Sequence, residues 1–380
     1  MLMKKIYSLL LLCSCSVAVI AQPNSNVTFK LPEFMDVKTL KATPVKNQAM
    51  TGTCWCFSAT SLVESEEIRK DSKEIDLSEM FTVRNIYIEK AKNYVLRIGK
   101  AQFGEGGLGH DMIRATSRYG AVPLSAYSGL VNGQTSYNHA ALFTKLQNYL
   151  DSVIKKQPIA ADWLNGYTKI LDDNMGVPPA SFVYEGKTYT PVSFAKEVLK
   201  FNADDFVSLT SFTHQPYYSS FVLQVPDNFS NGYFYNVPVN EMMDVVKNSI
   251  NKGYTVAWDA DVSNRGFIQS AGLALFLNDT VKYTKDMILP DMKEENWDQG
   301  VRQQLYENLT TQDDHLMHIT GLEKSKGGKT FFVVKNSWGP VGPFNGYINV
   351  SESYLAVNTI SVVVPKAALS KELLAKLKIQ

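Results

Sequence analysis

The chain is poor in cysteine, with four in 380 residues. Cys13 and Cys15 lie in the first stretch, and Cys54 and Cys56 are only two positions apart, too close to staple distant elements. A disulfide framework is therefore excluded, and the fold must rely on its core. The Cys54-x-Cys56 pair has no further cysteine ligands near it, so no metal and no cofactor is expected. Charge of one sign is also missing: 38 Lys and Arg stand against 37 Asp and Glu. That balance leaves no basic footprint for nucleic acid or anionic lipid. After one apolar run near the start there is no second, and no Pro- or Ser-rich linker or internal repeat divides the remainder.

The apolar run, Ile6 to Ile20, follows Lys4 and Lys5 and ends in Val19-Ile20-Ala21. A basic beginning, a short greasy core and small residues at the exit describe a secretory signal peptide over residues 1–21. The run is too short to span a bilayer comfortably, so no membrane span is expected in the mature form. Cys15, preceded by Leu12 and Ser14, fits a lipoprotein signal only loosely. A secreted or periplasmic location follows. Removing the leader takes Lys4 and Lys5 with it and turns the net charge from +1 to −1. About 360 residues of ordinary hydrophobicity remain, enough for two lobes or one elaborated domain.

The chemistry concentrates in Val45 to Ala59. Thr51-Gly52-Thr53 is turn-prone, and helical spacing begins at Trp55, with Ala59, Leu62 and Val63 at i, i+3 and i+4 and Glu64, Glu67 and Lys70 left for a wetter side. Cys54 thus falls at a helix start, where orphan N–H groups and the dipole favour a thiolate. Gln48, six residues earlier, can aim its amide at the point served by the Cys54 N–H, making an oxyanion hole.

Gln48, Cys54-Trp55 and Phe57-Ser58-Ala59 resemble the cysteine segment of papain-like cysteine peptidases. Asp314-His315-Leu316-Met317-His318-Ile319-Thr320-Gly321 is similar to that family's histidine strand. Val334-Lys335-Asn336-Ser337-Trp338-Gly339, followed by Gly346-Tyr347-Ile348, is similar to its asparagine segment. The resemblance implies an α+β, two-lobed fold, with a helical lobe carrying Cys54 and an antiparallel β lobe carrying His315 and Asn336. It also implies acyl transfer: Cys54 as nucleophile, His315 as its proton partner, Asn336 orienting the imidazole, Trp338 covering that bond and Gln48 binding the oxyanion. A peptide or protein is the implied substrate. Taken singly, each residue has a duller account, such as a buried Cys acting as a small hydrophobe. The alternative of another class is a catalytically silent peptide-binding homologue with the same cleft.

Other stretches resemble the bleomycin hydrolase/aminopeptidase C branch. Residues 22–44 leave no room for a long prodomain. Asp76-Leu77-Ser78-Glu79-Met80 opens a second helix, and Gly104 to Met112 is a glycine-rich stretch whose Gly106 and Gly107 would let a substrate backbone lie close. Residues of about 131–200 exceed a minimal papain fold and match the branch's insertion. They read as helices over Ala140 to Ile154 and Ala160 to Leu171 and a strand over Ser181 to Tyr189. The peptidase domain is read as 22–380.

Two departures matter. Cys56 should pack inward, and His318 should face away from His315 on a strand. The branch is also known for a C-terminal arm whose carboxylate enters the cleft and pairs with a peptide's amine. Here Leu369 to Ile379 reads as a short amphipathic helix ending at Gln380, which leaves little chain for an arm. Aminopeptidase and endopeptidase action both stay open, as does the oligomeric state.

Overall fold

The computed structural model describes residues 31–380. The leader and its boundary at residue 21 lie outside the described residues.

The Cys54 segment is the hub. Helix α1 (Cys54–Asp71) is followed by α2 (Glu79–Leu96), whose Ser78 cap accepts from Phe81 N at 3.1 Å. Then comes α3 (Gly109–Tyr119), closed by Gly120 at φ 81°. A glycine at positive φ stops the helix there, as the Tyr119-Gly120 pair suggests. The extra segment adds α4 (Ala140–Ile154), α5 (Trp163–Met175), a hairpin and α6 (Pro191–Glu197). The hairpin replaces the single strand expected over Ser181 to Tyr189, because Glu185-Gly186, both at positive φ, fold it back between Phe182–Tyr184 and Lys187–Tyr189. Leu142, Leu146 and Leu150 of α4 and Tyr167 and Leu171 of α5 join the same core as α1 and α2.

The chain's other strands make a second layer. In chain order they begin with β1 (Phe34–Thr39), continue after the hairpin strands β2 and β3 with β4 (Phe206–Thr210), β5 (Ser220–Val222) and β6 (Tyr233–Asn236), and pass through α7 (Val239–Asn251) to β7 (Val256–Ala260). Short strands β8 (Phe267–Ile268) and β9 (Leu273–Ala274) and helix α8 (Gln299–Glu307) precede β10 (His315–Ser325), β11 (Thr330–Lys335) and β12 (Tyr347–Ser351). Helix α9 (Glu352–Asn358), β13 (Thr359–Pro365) and α10 (Lys371–Leu377) finish the fold. The sheet order is β5-β6-β4-β13-β7-β10-β11-β12-β9-β8, with β1 also paired to β10. Strand β1 was not foreseen in the proline-bearing 22–44 stretch; pairing with β10 supplies the hydrogen bonds that local propensity does not.

Alternation along β10 divides two cores. Leu316 belongs to the helical core with Cys54, Trp55 and Ala257, whereas Met317 and Ile319 belong to a sheet core with Trp258, Val334 and Ile348. Successive strand side chains point to opposite faces, so β10 feeds both. Helix α1 lies between these layers, which corrects the expectation of a wet face: Glu64 is 1% and Glu67 3% exposed. Lys46 makes the burial of Glu64 tolerable. Its ammonium lies 3.0 Å from Glu64 Oε1, 2.6 Å from Glu79 Oε1 and 2.7 Å from Asp76 Oδ1. Burial alone would lower the Lys46 pKa, but those three carboxylates outweigh it and hold the pKa raised. Glu67 has only Lys70 Nζ, at 3.7 Å, and burial outweighs it, pushing the carboxyl up to about 7.

Candidate active site

Cys54 is the first residue of α1, where its N–H has no intrahelical acceptor. The preceding turn is held from outside the helix. Gly52 N donates to Glu105 Oε2 at 2.7 Å, and Trp55 Nε1 donates to Glu105 O at 3.1 Å. Glu105 thus joins the Cys54 turn to the glycine-rich stretch, a role the sequence does not announce. The thiol is hydrogen-bonded by the backbone N–H of Leu316, the residue after His315.

His315 is 4% exposed, and its Nε2 lies 2.7 Å from Asn336 Oδ1. Asn336 Nδ2 donates to Gln269 Oε1 at 3.1 Å, which commits Oδ1 to accepting. Nε2 must then carry the proton, leaving Nδ1 as the basic nitrogen. The Trp338 indole lies against the imidazole, ring centroids 4.7 Å apart and 31° between planes, with Phe267 edge-on behind it. His318 faces elsewhere as expected: its Nδ1 is 2.9 Å from Ser61 Oγ on α1. Cys56 is fully buried with Sγ near Glu79 O at 3.3 Å.

Gln48 is fixed at both ends of its amide. Oε1 accepts from Ser337 Oγ at 2.6 Å, Nε2 donates to Thr51 O at 2.7 Å, and its backbone N–H donates to Ser337 O at 2.8 Å. One Nε2 hydrogen remains for the space beside the Cys54 turn.

Burial works against the thiolate expected from the sequence. It pushes the Cys54 thiol up to about 12, opposed by the Leu316 N–H and reinforced by Asp313, Asp259 and Asp227. Burial also lowers the His315 pKa, against the raising effects of Asn336 and Asp314. A neutral thiol and imidazole are thereby favoured in the closed site.

Gly106 and Gly107 lie beside this centre. A Cβ on Gly107 would sit 3.1 Å from the Trp55 ring, and one on Gly106 would overlap the Asp227 carboxylate. Lys90 Nζ donates to the carbonyls of Gly104, at 2.8 Å, and Gly106. Asp227 belongs to a loop pinned by Asn228, whose amide bonds Leu223 O at 2.8 Å, Gly232 O at 3.0 Å and Gly232 N at 2.7 Å. Asp227 and Asp313 escaped the sequence reading, although Asp313 directly precedes the Asp314-His315 pair that begins the histidine strand.

Residues 100–380 match the Peptidase C1-like family model. The chain belongs to the Peptidase C1-like family. Residues 31–84 match a second model, the papain family of cysteine proteases. Among curated relatives, aminopeptidase C of Lactococcus lactis subsp. cremoris is 25% identical, aligned over 91% of this chain and 85% of its own length. Bleomycin hydrolase of Gallus gallus is 22% identical over 87% of this chain and 82% of its length. The solved structure of PepW from Lactobacillus rhamnosis HN001 superposes with a TM-score of 0.73 at 19% identity, covering 90% of this chain and 84% of that one. The protein is thus a papain-like cysteine peptidase, similar to aminopeptidases C and W, with the α+β papain-like fold. Among the described residues no helix is long and apolar enough to cross a membrane.

Proposed function

We propose that Cys54, His315, Asn336 and Gln48 hydrolyse peptide bonds through a thioester. Cys54 Sγ attacks the carbonyl carbon as its proton passes to His315 Nδ1, and the imidazolium then protonates the leaving amine. The Cys54 N–H and the remaining Gln48 Nε2 hydrogen receive the oxyanion. Asn336 keeps Nδ1 directed at the sulfur, and Trp338 shields the His315–Asn336 bond from water. The Gly106-Gly107 ledge takes the substrate backbone. Water then attacks the thioester and releases the acid. The observation that carries this reading is the 2.7 Å His315–Asn336 bond in a strand whose next N–H holds the Cys54 thiol. Transfer of the proton during attack accommodates two groups that burial favours as neutral.

The test is hydrolysis of a mixed peptide library by wild type and Cys54→Ala, with labelling by a thiol-reactive epoxide read by mass spectrometry. Wild-type cleavage, its loss in the variant and selective modification at Cys54 are expected. No cleavage and sluggish, unselective modification would favour the silent peptide-binding homologue. Export through the residue 1–21 leader belongs to the same reading, supported by Lys4, Lys5 and the Ile6 to Ile20 run. Intact-mass measurement of the exported protein should give a chain beginning at Gln22.

A further inference from the structure

The peptide joining Thr51 to Gly52 is held at both of its polar ends. Its N–H donates to Glu105 Oε2 at 2.7 Å, and its carbonyl oxygen accepts from Gln48 Nε2 at 2.7 Å. A trans peptide is planar and points these two groups in opposite directions, so it stands as a rigid rung between the two side chains. The line continues on the far side of the Gln48 amide, where Oε1 accepts from Ser337 Oγ at 2.6 Å. Glu105, the 51–52 peptide, Gln48 and Ser337 therefore form one unbroken hydrogen-bonded row.

The charge at the head of this row is committed to Gly52. Lys90 spends its ammonium on the Gly104 and Gly106 carbonyls. His139 Nδ1 lies 4.0 Å from Glu105 Oε2, but it is bonded to Tyr87 Oη at 3.0 Å, and burial holds the His139 pKa down at about 4, so the ring is neutral at pH 7. Gly52 admits the close approach, since a Cβ there would meet Glu105 Cβ at 3.1 Å. A carboxylate bonds a backbone N–H roughly twice as strongly as a neutral acceptor does, and it polarises the peptide so that the Thr51 oxygen accepts better from Gln48. The rest of the loop is held without Glu105: Met50 N donates to Tyr137 O and Met50 O accepts from His139 N, each at 3.1 Å. What Glu105 adds is the rotational setting of one peptide plane.

We propose that Glu105 is a positioning residue for the oxyanion hole: by fixing the 51–52 peptide it aims the remaining Gln48 Nε2 hydrogen at the carbonyl oxygen of the bond that Cys54 attacks. This role rests on the peptidase reading of the site. Glu105 acts through Gln48 and not through the sulfur. After burial, the charges that lead in raising the Cys54 thiol pKa are Asp313, Asp259 and Asp227. Loss of the Glu105 carboxylate thus frees the peptide to turn and the amide to swing away, while the thiol keeps its surroundings and the loop keeps its bonds to residues 137–139.

Two reagents separate this role from a merely structural one. A peptide aldehyde adds to the Cys54 thiol as a hemithioacetal: the S–C bond forms, the thiol proton ends on the former carbonyl oxygen, and that oxygen occupies the oxyanion hole. Iodoacetamide forms an S–C bond with loss of iodide and builds no such oxygen. Glu105→Ala should weaken inhibition by the aldehyde about tenfold and lower kcat by a similar factor with KM little altered, the cost of loosening an oxyanion donor without removing it. Its alkylation rate at a fixed pH should match wild type, since that rate follows the thiolate alone. Glu105→Gln, which keeps an acceptor for the Gly52 N–H, should recover most of the loss. Wild-type aldehyde affinity in Glu105→Ala would overturn the proposal. Equal losses in aldehyde binding and alkylation would also overturn it and leave Glu105 a prop for the turn. Wild-type protein that neither binds the aldehyde nor cleaves peptides would instead overturn the peptidase reading, and this role with it.

Discussion

Ser337 Oγ donates to Gln48 Oε1 at 2.6 Å, joining the segment that carries Asn336 to the segment that precedes Cys54. This bond decides which way the Gln48 amide faces, because an oxygen held by Ser337 leaves the nitrogen for Thr51 and the reaction centre. Gln48→Ala should lower kcat by about 100- to 1,000-fold, the usual cost of removing an oxyanion donor. Ser337→Ala should lower kcat by about tenfold with KM little altered, since the amide is loosened but not lost. Steady-state kinetics on one peptide substrate check both, and a rise in KM at constant kcat would contradict the assignment.

Negative charge beside Cys54 has a measurable price. Burial comes first in raising the thiol pKa, and Asp313 is the first of the carboxylates that add to it. Asp313→Asn should therefore lower the apparent thiol pKa, shifting the pH profile of iodoacetamide alkylation to lower pH. The rate at a fixed neutral pH should rise about threefold to tenfold, because the thiolate fraction grows as its pKa falls. An unshifted profile would place Asp313 out of electrostatic reach of the sulfur.

The Lys46 cluster is structural. Removing its ammonium strands Glu64, Glu79 and Asp76, two of them almost fully buried. Lys46→Met should destabilise the protein by about 3–5 kcal/mol, the range for breaking a buried pair on one side. Thermal unfolding of the variant against wild type tests this, and a change under about 1 kcal/mol would show the site to be well hydrated.

Asp259 and Asp313 make stability depend on pH in a defined sense. Burial raises both carboxyl pKa values, with Asp313 adding to the effect on Asp259 and Asp227 to the effect on Asp313. Cys54 and Lys90 also face this cluster. The folded state then binds protons that the unfolded chain has released. The contribution is fully present below the ordinary carboxyl pKa near 4 and is lost as pH rises towards the folded values. Asp259→Asn carries no such penalty, so its melting temperature relative to wild type should climb between about pH 5 and pH 8. A flat difference across that range would refute the assignment.

The candidate constellation was legible because its residue types are rare and their order is constrained. Cys54, His315, Asn336 and Gln48 fall at a helix start, a strand start and two short bridging segments, as their neighbours suggested. What escaped was what the sheet brings together late. Glu64 and Glu67 read as wet because helical spacing cannot reveal a second layer covering the opposite face. Strand β1 hides among prolines since its hydrogen bonds come from β10. Asp227 lies far along the chain from both Gly106 and Asp313, and no local period links a loop carboxylate to a glycine ledge.

Asn228 closes the 223–232 loop with bonds to that loop's own backbone. The turn is therefore shaped from within, while Leu223 in the core, Ser230 on His110 and Asp227 against Gly106 anchor it to the fold. Changes to this loop that keep the Asn228 bonds, in a laboratory or over evolutionary time, would alter what lies against the glycine-rich stretch without unravelling the turn itself.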